Sequence, residues 1–554
     1  MMKGNIREFI VLFAAISYMV LIYLIYGYYF EDFEKIASSI ANVLLIDPPL
    51  DPFPSNNHMF TTQMFGFISS VFPTFPTYGV WLCLLNFFWI TGIISLLTNQ
   101  SIFNAQSIFF STPLLLIFFN SSIVHLSSTR SSILISGTAI LLSYYNTSNS
   151  SWKRYAYFIM FLIGLITRIH TAAMILLLLL AFFYLQSYDL KSLTRKYLGY
   201  ILMTIFLMCF FHIDRLTTNH QGKIIENKFE YAIWLKESFC PLSEMKTKKD
   251  SAIYSAIQNF FLTDSSSISV STLYKIVKPE RHFTDLFNTN QYYDVVSKCS
   301  EMFLLNKFTA IFIIVIILFS LIVNRKVFFT ISVLMLLFSL LMFFLTLTVG
   351  NMYERVFTPM FSILSFGCLI LLLNTETFKQ FHMRHIVLTY LFILPAIIID
   401  AKSLNEYSVE QEKNEVLYKK TISQVRDFTQ TNIVVAIYPI EFLFSQKPFT
   451  KVERSTYDKV LLTDFLYLSY FNTFKKRWLV RYGFSPLDFR KLFDFFASNK
   501  DKIIVLSNEE RNHLYQNYFD AVYGSKISFE KLEDSLQTSS NNFSYYKIKD
   551  CKKY

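Results

Sequence analysis

Long apolar runs alternate along most of the chain with short polar or charged connections. About 20 apolar residues are what a helix needs to cross the hydrocarbon core of a bilayer. The pattern predicts about eleven transmembrane helices, at 8–29, 76–98, 104–125, 131–146, 154–168, 170–186, 197–213, 304–323, 327–349, 356–374 and 385–400. The sequence therefore predicts a polytopic α-helical membrane protein.

Composition agrees with this prediction. Of the 554 residues, 53% are hydrophobic and 16% are charged, whereas a soluble domain has about 25% charged residues. The net charge of +11 does not indicate a nucleic-acid partner, because the basic residues lie mostly in the short connections. The six cysteines form no Cys-x-x-Cys motif, so no zinc site is predicted. The first apolar run lacks a small-residue cleavage site, which indicates an uncleaved first span.

The basic residues predict the orientation of the chain in the membrane. Alternate connections carry two or more cations, namely Lys3, Arg7, Lys153, Arg154, Lys191, Arg195, Lys196, Arg325, Lys326, Lys379 and Arg384. Short cytoplasmic loops are rich in Lys and Arg, so these connections are predicted to be cytoplasmic. The N terminus is then cytoplasmic, and an odd number of spans leaves the C terminus outside.

Three larger segments, 30–75, 214–303 and 401–554, are predicted to be external. We expect a transmembrane catalytic domain over 1–400 and a small external domain over 401–554. That tail alternates strand-like runs (NIVVAIYPI, DKIIVLSNE, FSYYKIKD) with helical ones (PLDFRKLFDFFASN, NEERNHLYQNYF), which predicts an α/β domain. Cys240 and Cys299 lie in 214–303, and the sequence leaves open whether they form a disulfide.

Ionisable residues gather at the ends of spans that are predicted to face outwards. They are Glu31, Asp32, Asp47, Asp51, His58, His125, Arg130, Arg168, His170, Glu354 and Arg355. Arginine binds phosphate oxygens through its planar fork, and a nearby carboxylate can accept a proton from an attacking hydroxyl. The pattern predicts a site for a phosphate-bearing substrate at the membrane boundary.

Structural interpretations of three of these residues stay open. Arg355 is equally well explained by a local ion pair with Glu354. His170 fits a packed interfacial histidine better than a catalytic one, and Asp32 fits the N-cap of a helix over FEKIASSIANVLL.

The segment YYFEDFEK, with the acidic pair Glu31-Asp32 just after the first span, resembles the acidic motif of GT-C-fold integral-membrane glycosyltransferases. The segment FFNSSIVHLSSTRSSILISGTAILL is similar to the arginine-bearing connection of that family. The layout, with its external C-terminal domain, resembles the serotype-converting glucosyltransferases of bacteria, a subgroup of that family. The resemblance implies transfer of a sugar from an undecaprenyl-phosphate-linked donor to a cell-surface glycan such as O-antigen.

The resemblance also implies roles for particular residues. Asp32, with Glu31 or Asp47, would be the catalytic carboxylate, and a divalent cation (Mg or Mn) is possible beside Glu31 and Asp32. The residues expected to contact substrate are Arg130, Arg168, His170, Arg355 and His58. The expected partners are the lipid-linked donor, a glycan acceptor and membrane lipids, without nucleic acid, in the bacterial inner membrane.

Other functions remain open at this point. The large segment 214–303 and the run LITRIHTAAMILLLL are also similar to segments of bacterial polysaccharide polymerases. If the protein were such a polymerase, the acceptor would differ more than the reaction, because both families use related lipid-linked donors. A transporter of lipid-linked sugars would need ionisable groups along a path through the bilayer, whereas these residues gather at one surface. A scaffold that uses its tail as a binding module is a third possibility. No Gly-rich phosphate loop is present, which favours a lipid-linked donor over a nucleotide sugar.

Overall fold

The computed structural model describes residues 2–31, 67–68, 71–72, 75–99, 119–145, 151–217, 247–258, 289–349, 353–375, 383–437, 445, 447–450, 460–462, 489–537 and 542–553. The helices are α1 (Met2–Tyr26), α2 (Thr77–Asn99), α3 (Ser128–Tyr145), α4 (Ser151–Thr167), α5 (Ile169–Ser187), α6 (Leu190–Thr217), α7 (Lys248–Gln258), α8 (Thr289–Leu305), α9 (Lys307–Val323), α10 (Arg325–Val349), α11 (Glu354–Leu373), α12 (Met383–Thr431), α13 (Phe489–Asn499) and α14 (Glu509–Tyr523). The strands are β1 (Tyr29–Phe30), β2 (His125–Leu126), β3 (Ile433–Ala436), β4 (Val460–Leu462), β5 (Ile503–Ser507), β6 (Ser525–Gln537) and β7 (Asn542–Lys553).

Several helices are long and apolar enough to cross a membrane. Among the described residues there are six, within α1, α2, α5, α6, α10 and α11, and α8 with α9 forms a seventh candidate that is bent by 87°. The chain is therefore a largely helical protein with helices suited to a bilayer. These six or seven helices do not confirm the predicted number of about eleven spans.

Helix α3 differs from the helices that meet the membrane criterion. It contains many Ser and Thr residues, yet 128–142 are all buried, because α2, α4, α5 and α11 surround it. Gly164 permits the contact with α4, since a Cβ atom there would lie 2.0 Å from Ser136 Oγ. Predicted span 131–146 is thus the central helix of the bundle. Span 104–125 lies outside the described residues except for its end, where 119–124 are helical.

Arg168 separates α4 from α5. Its backbone is extended, with φ −154° and ψ 99°, so one residue interrupts the helical path. The prediction that 154–168 and 170–186 are joined by almost nothing is confirmed.

The domain boundary predicted between residues 400 and 401 lies inside α12, which runs for 49 residues. The sequence continues the helix because buried side chains recur at helical spacing, at Tyr418, Ile422 and Val425. The last predicted span (385–400) therefore extends without interruption into the tail. The helix itself does not end at the predicted boundary, and the end of the membrane span at residue 400 stays a prediction.

Beyond α12 the tail forms a five-stranded mixed sheet in the order β4-β3-β5-β7-β6. Strands β3, β4 and β5 are parallel, and β7 is antiparallel to both β5 and β6. The three strand-like runs become β3, β5 and β7, and the two helical runs become α13 and α14. The predicted α/β character of the tail is confirmed, and β4 and β6 are additional strands.

Four of the connections predicted to be cytoplasmic contact one another, and the connection with Lys379 lies outside the described residues. Three contacts join them: Lys153 Nζ with Glu8 Oε1 at 3.3 Å, Lys196 Nζ with the carbonyl of Tyr144 at 3.3 Å, and Lys326 Nζ 5.3 Å from the Tyr188 ring centre. These connections therefore lie at one end of the helical bundle. The turn after α1 and the starts of α3, α5 and α11 lie at the other end.

Candidate functional site

A two-stranded parallel pairing positions the first acidic residue after α1. Gly27, at φ +78°, turns the chain out of α1, a conformation that glycine adopts without strain. Strand β1 then pairs with β2, and the backbone N–H of Glu31 donates to the carbonyl of Leu126 at 3.0 Å. Glu31 is thereby fixed beside the first turn of α3, where Arg130 lies.

Arg130 binds two carboxylates at once. Its Nε and Nη2 donate to Glu31 Oε1 at 2.8 and 2.6 Å, and Nη2 also donates to Glu354 Oε1 at 3.0 Å. The Arg130 side chain is 1% exposed, Glu31 is 17% exposed and Glu354 is 45% exposed. We call these three residues the acidic cluster. A buried arginine needs such partners, because an unpaired buried charge is strongly destabilising.

The cluster carries two carboxylates and one guanidinium, so its charge is −1 when all three groups are ionised. Burial acts to raise the pKa of Glu31, but the charge and hydrogen bonds of Arg130 outweigh it, and the pKa is lowered. Burial, with a smaller contribution from Arg130, lowers the pKa of His125 to about 4. His125 is therefore neutral at neutral pH while Glu31 is ionised.

Two polar atoms of the acidic cluster have no hydrogen-bond partner among the described residues. They are Glu31 Oε2, an acceptor, and Arg130 Nη1, a donor, and both are buried. Most buried polar atoms in native proteins are paired with protein or water. Each of the two atoms therefore keeps the capacity for one further hydrogen bond.

Arg168 lies at the same end of the bundle as the acidic cluster. Its Nε donates to Ser128 Oγ at 3.3 Å, two residues before Arg130 on α3. Its carbonyl accepts hydrogen bonds from Ser132 Oγ at 3.0 Å and Thr171 Oγ1 at 3.1 Å. These bonds hold the break between α4 and α5 against α3 and leave the guanidinium half-buried.

Of the other predicted site residues, the structure describes His170 and Arg355. His170 is exposed in the first turn of α5. The Arg355 guanidinium lies 4.8 Å from the Tyr353 ring centre, and Glu354 is paired with Arg130 rather than held in a salt bridge to Arg355. Asp32, Asp47 and His58 lie outside the described residues.

Glu354 was predicted to lie at the same surface but was given no role in the site. In the sequence it stands beside Arg355, which makes a local pair the simplest interpretation. The signal available was its place at the start of an apolar helix, in a connection predicted to face the same surface as Glu31.

Helix α12 and a segment of the tail adjoin the site. The Tyr29 hydroxyl, two residues before Glu31, donates to Glu412 Oε1 at 3.4 Å, and Lys447 Nζ donates to the same oxygen at 2.5 Å. The His125 ring lies 4.1 Å from the Tyr407 ring, centre to centre. The tail therefore contacts both strands of the pairing that positions Glu31.

The described residues do not form a metal site. They include no group of three or more His, Cys, Asp or Glu side chains with metal-ligand geometry, and Arg130 already occupies Glu31 Oε1. The Cys299 thiol lies 3.6 Å from Thr346 Oγ1, and Cys240 is outside the described residues.

No family model, curated protein or solved structure matches the chain. The fold and the site define the general class of the protein. It is a helical protein suited to a membrane, with a buried charged cluster at one end of its bundle and an α/β tail beside that cluster.

Proposed function

We propose that the protein is an integral-membrane glycosyltransferase that moves a sugar from an undecaprenyl-phosphate-linked donor to a cell-surface glycan, such as O-antigen. The observation that carries the proposal is the acidic cluster. It brings together charged side chains from three connections at one end of the bundle. Arg168 lies nearby, because its Nε donates to Ser128, two residues before Arg130 on α3. Carboxylates beside half-buried arginines suit a reaction in which a hydroxyl attacks and a phosphate leaves.

In this proposal about eleven spans cross the bacterial inner membrane, the N terminus is cytoplasmic, and the site and tail face outwards. The support is the separation of charges along the bundle. The Lys- and Arg-rich connections lie together at the end opposite the acidic cluster, as the positive-inside rule requires.

The contacts suggest a division of roles between the arginines. Arg130 already donates to two carboxylates, so we assign it to positioning Glu31. Arg168 is half-buried and Arg355 stacks on Tyr353 at the same end, so these two are the better candidates for the donor phosphate. His170 and His58 are assigned to the acceptor or the lipid headgroup.

The proposed reaction is an inverting displacement. The acceptor oxygen forms a bond to the anomeric carbon as the bond from that carbon to the phosphate oxygen breaks, and the phosphate leaves with the electron pair. The hydroxyl proton passes to a carboxylate. Glu31, with its lowered pKa, is a weak base, since a general base works best with a pKa near the operating pH. Asp32 is therefore the proposed base, Asp47 is its substitute, and Glu31 Oε2 orients the acceptor hydroxyl.

The test is a transfer assay with purified protein, radiolabelled polyprenyl-phosphate sugars and glycan extracted from the cell envelope. We expect label to move from lipid to glycan, and at least about 100-fold less transfer in Glu31→Gln and Arg168→Lys, since both residues act in the transition state. Glu406→Gln is the matched control, because Glu406 is 69% exposed on α12. Thermal unfolding of each variant separates lost chemistry from lost folding.

Three results would overturn the proposal. Full activity in Glu31→Gln and Arg168→Lys would remove the site from the reaction. Label that crosses the membrane but stays on the lipid would indicate a transporter. Elongation only when whole lipid-linked repeat units are supplied would indicate a polysaccharide polymerase.

A further inference from the structure

A groove that shares no residue with the acidic cluster lies between two helices that are distant in sequence. Helix α7, from segment 214–303, packs against α14 of the tail. The groove between them has a volume of about 470 Å³. Ligand pockets have volumes of about 300–1,000 Å³ and often lie where separate parts of a chain meet. The groove is therefore large enough for a small ligand or for part of a longer one.

The lining combines an apolar surface with neutral hydrogen-bonding groups. Ala252 and Leu514 contribute apolar carbons, and Ser251 and Asn517 contribute a hydroxyl and an amide. Ser251 and Asn517 are exposed, so a ligand can reach them. An amide and a hydroxyl each donate and accept hydrogen bonds. The groove thus offers both kinds of contact within one volume.

The charges around the groove are balanced. Lys248, Glu510, Arg511 and His513 line the groove, and Asp520, just outside the lining, pairs with Lys248 Nζ at 2.8 Å. Beside the imidazole of His513, the two cations are thus matched by two carboxylates. A site selective for phosphate or nucleotides would instead present an excess of cationic groups. The balance favours an uncharged, polar ligand.

We propose that the groove between α7 and α14 is a saccharide-binding site. A pyranose ring has an apolar C–H face and hydroxyls that donate and accept, which matches the lining on both counts. Because both walls are helices, little order has to be gained on binding. The choice of a saccharide from the cell envelope rests on the proposed function, in which the groove would hold part of the acceptor glycan away from the reacting centre.

The test measures binding to the full-length protein in detergent by titration calorimetry. The probes are neutral oligosaccharides released by mild acid from the envelope glycan and, separately, inorganic phosphate. Ser251→Trp fills the groove, and Ser498→Trp is the matched control, because Ser498 is an exposed serine on α13 that does not line it. Asn517→Ala removes the amide without filling the groove.

We expect saturable binding of the oligosaccharides and at least about 10-fold weaker binding in Ser251→Trp and Asn517→Ala, with Ser498→Trp unchanged. The absence of saturable binding, equal affinity in all variants, or binding of phosphate in preference to the oligosaccharides would overturn the proposal. Failure of this proposal and failure of the proposed function are distinguishable. If the oligosaccharides bind but no sugar is transferred, the groove is a saccharide site and the proposed enzymatic function is wrong. If sugar is transferred but Ser251→Trp does not weaken oligosaccharide binding, the enzymatic function stands and the groove is not a saccharide site.

Discussion

The guanidinium of Arg130 donates two hydrogen bonds to a single carboxylate oxygen of Glu31, although 99 residues separate them in the sequence. The β1–β2 pairing makes this contact possible, since it holds the backbone of Glu31 against Leu126. Glu354, a further 224 residues from Arg130 along the chain, completes the cluster. The buried cation thus connects α3 with α11 and with the segment that follows β1, at one end of the bundle.

Replacing Arg130 is expected to destabilise the fold strongly. In Arg130→Ala the free energy of unfolding should fall by about 3–5 kcal/mol, because the buried Glu31 carboxylate loses its partner. Denaturant titration in mixed micelles measures the change. Lys153→Ala, which breaks the more exposed pair with Glu8, should change stability by about 1 kcal/mol or less. Equal effects of the two substitutions would contradict the assigned role of Arg130.

Thermal stability should fall as the pH is lowered from about 6.5 to about 4. The pKa of His125 is lowered from 6.5 to about 4, so the unfolded chain takes up a proton in this window that the folded chain does not. Stability therefore decreases as the pH falls. Glu31 adds a loss below its ordinary pKa of 4.5, because its folded pKa is also lowered.

Melting temperatures of the wild type and His125→Asn, measured across this range, test that expectation. The variant should show a shallower pH dependence between 6.5 and 4. An unaltered slope in His125→Asn would show that other groups cause the loss.

Two glycines offer a matched test of helix packing. A Cβ at Gly164 would lie 2.0 Å from Ser136 Oγ and 3.1 Å from the carbonyl oxygen of Ser132, so Gly164→Ala should destabilise the protein by about 1–3 kcal/mol through overpacking. At Gly199 the nearest atom, in Phe158, would be 3.9 Å away. Gly199→Ala should therefore stabilise α6 by up to about 1 kcal/mol. Unfolding curves of the two variants should shift in opposite directions.

Cysteine labelling tests the proposed orientation. In a background in which all six native cysteines are replaced by serine, a membrane-impermeant maleimide should label Glu406→Cys in spheroplasts. It should label Lys326→Cys only after lysis. The reverse pattern would invert the chain in the membrane and place the acidic cluster in the cytoplasm.

The tail shows why some elements can be predicted and others cannot. The runs that became β3 and β5 are continuous and apolar, which is typical of strands buried on both faces. Strand β6 (SKISFEKLEDSLQ) lies at the edge of the sheet. Its charged residues reduce the apolar signal, as is common for edge strands. The sequence therefore predicted the inner strands of the sheet but not its edge at β6.

The amino-acid sequence by itself determined the apolar helices and the ends at which charged residues gather, because both follow from local hydropathy. It also predicted the tight link at Arg168 and the inner strands of the tail. The structure adds that α12 continues past residue 400. It also determines that α3 is the buried centre of the bundle and which carboxylates pair with Arg130, because those outcomes depend on contacts between residues 32 to 224 positions apart, which no local pattern specifies.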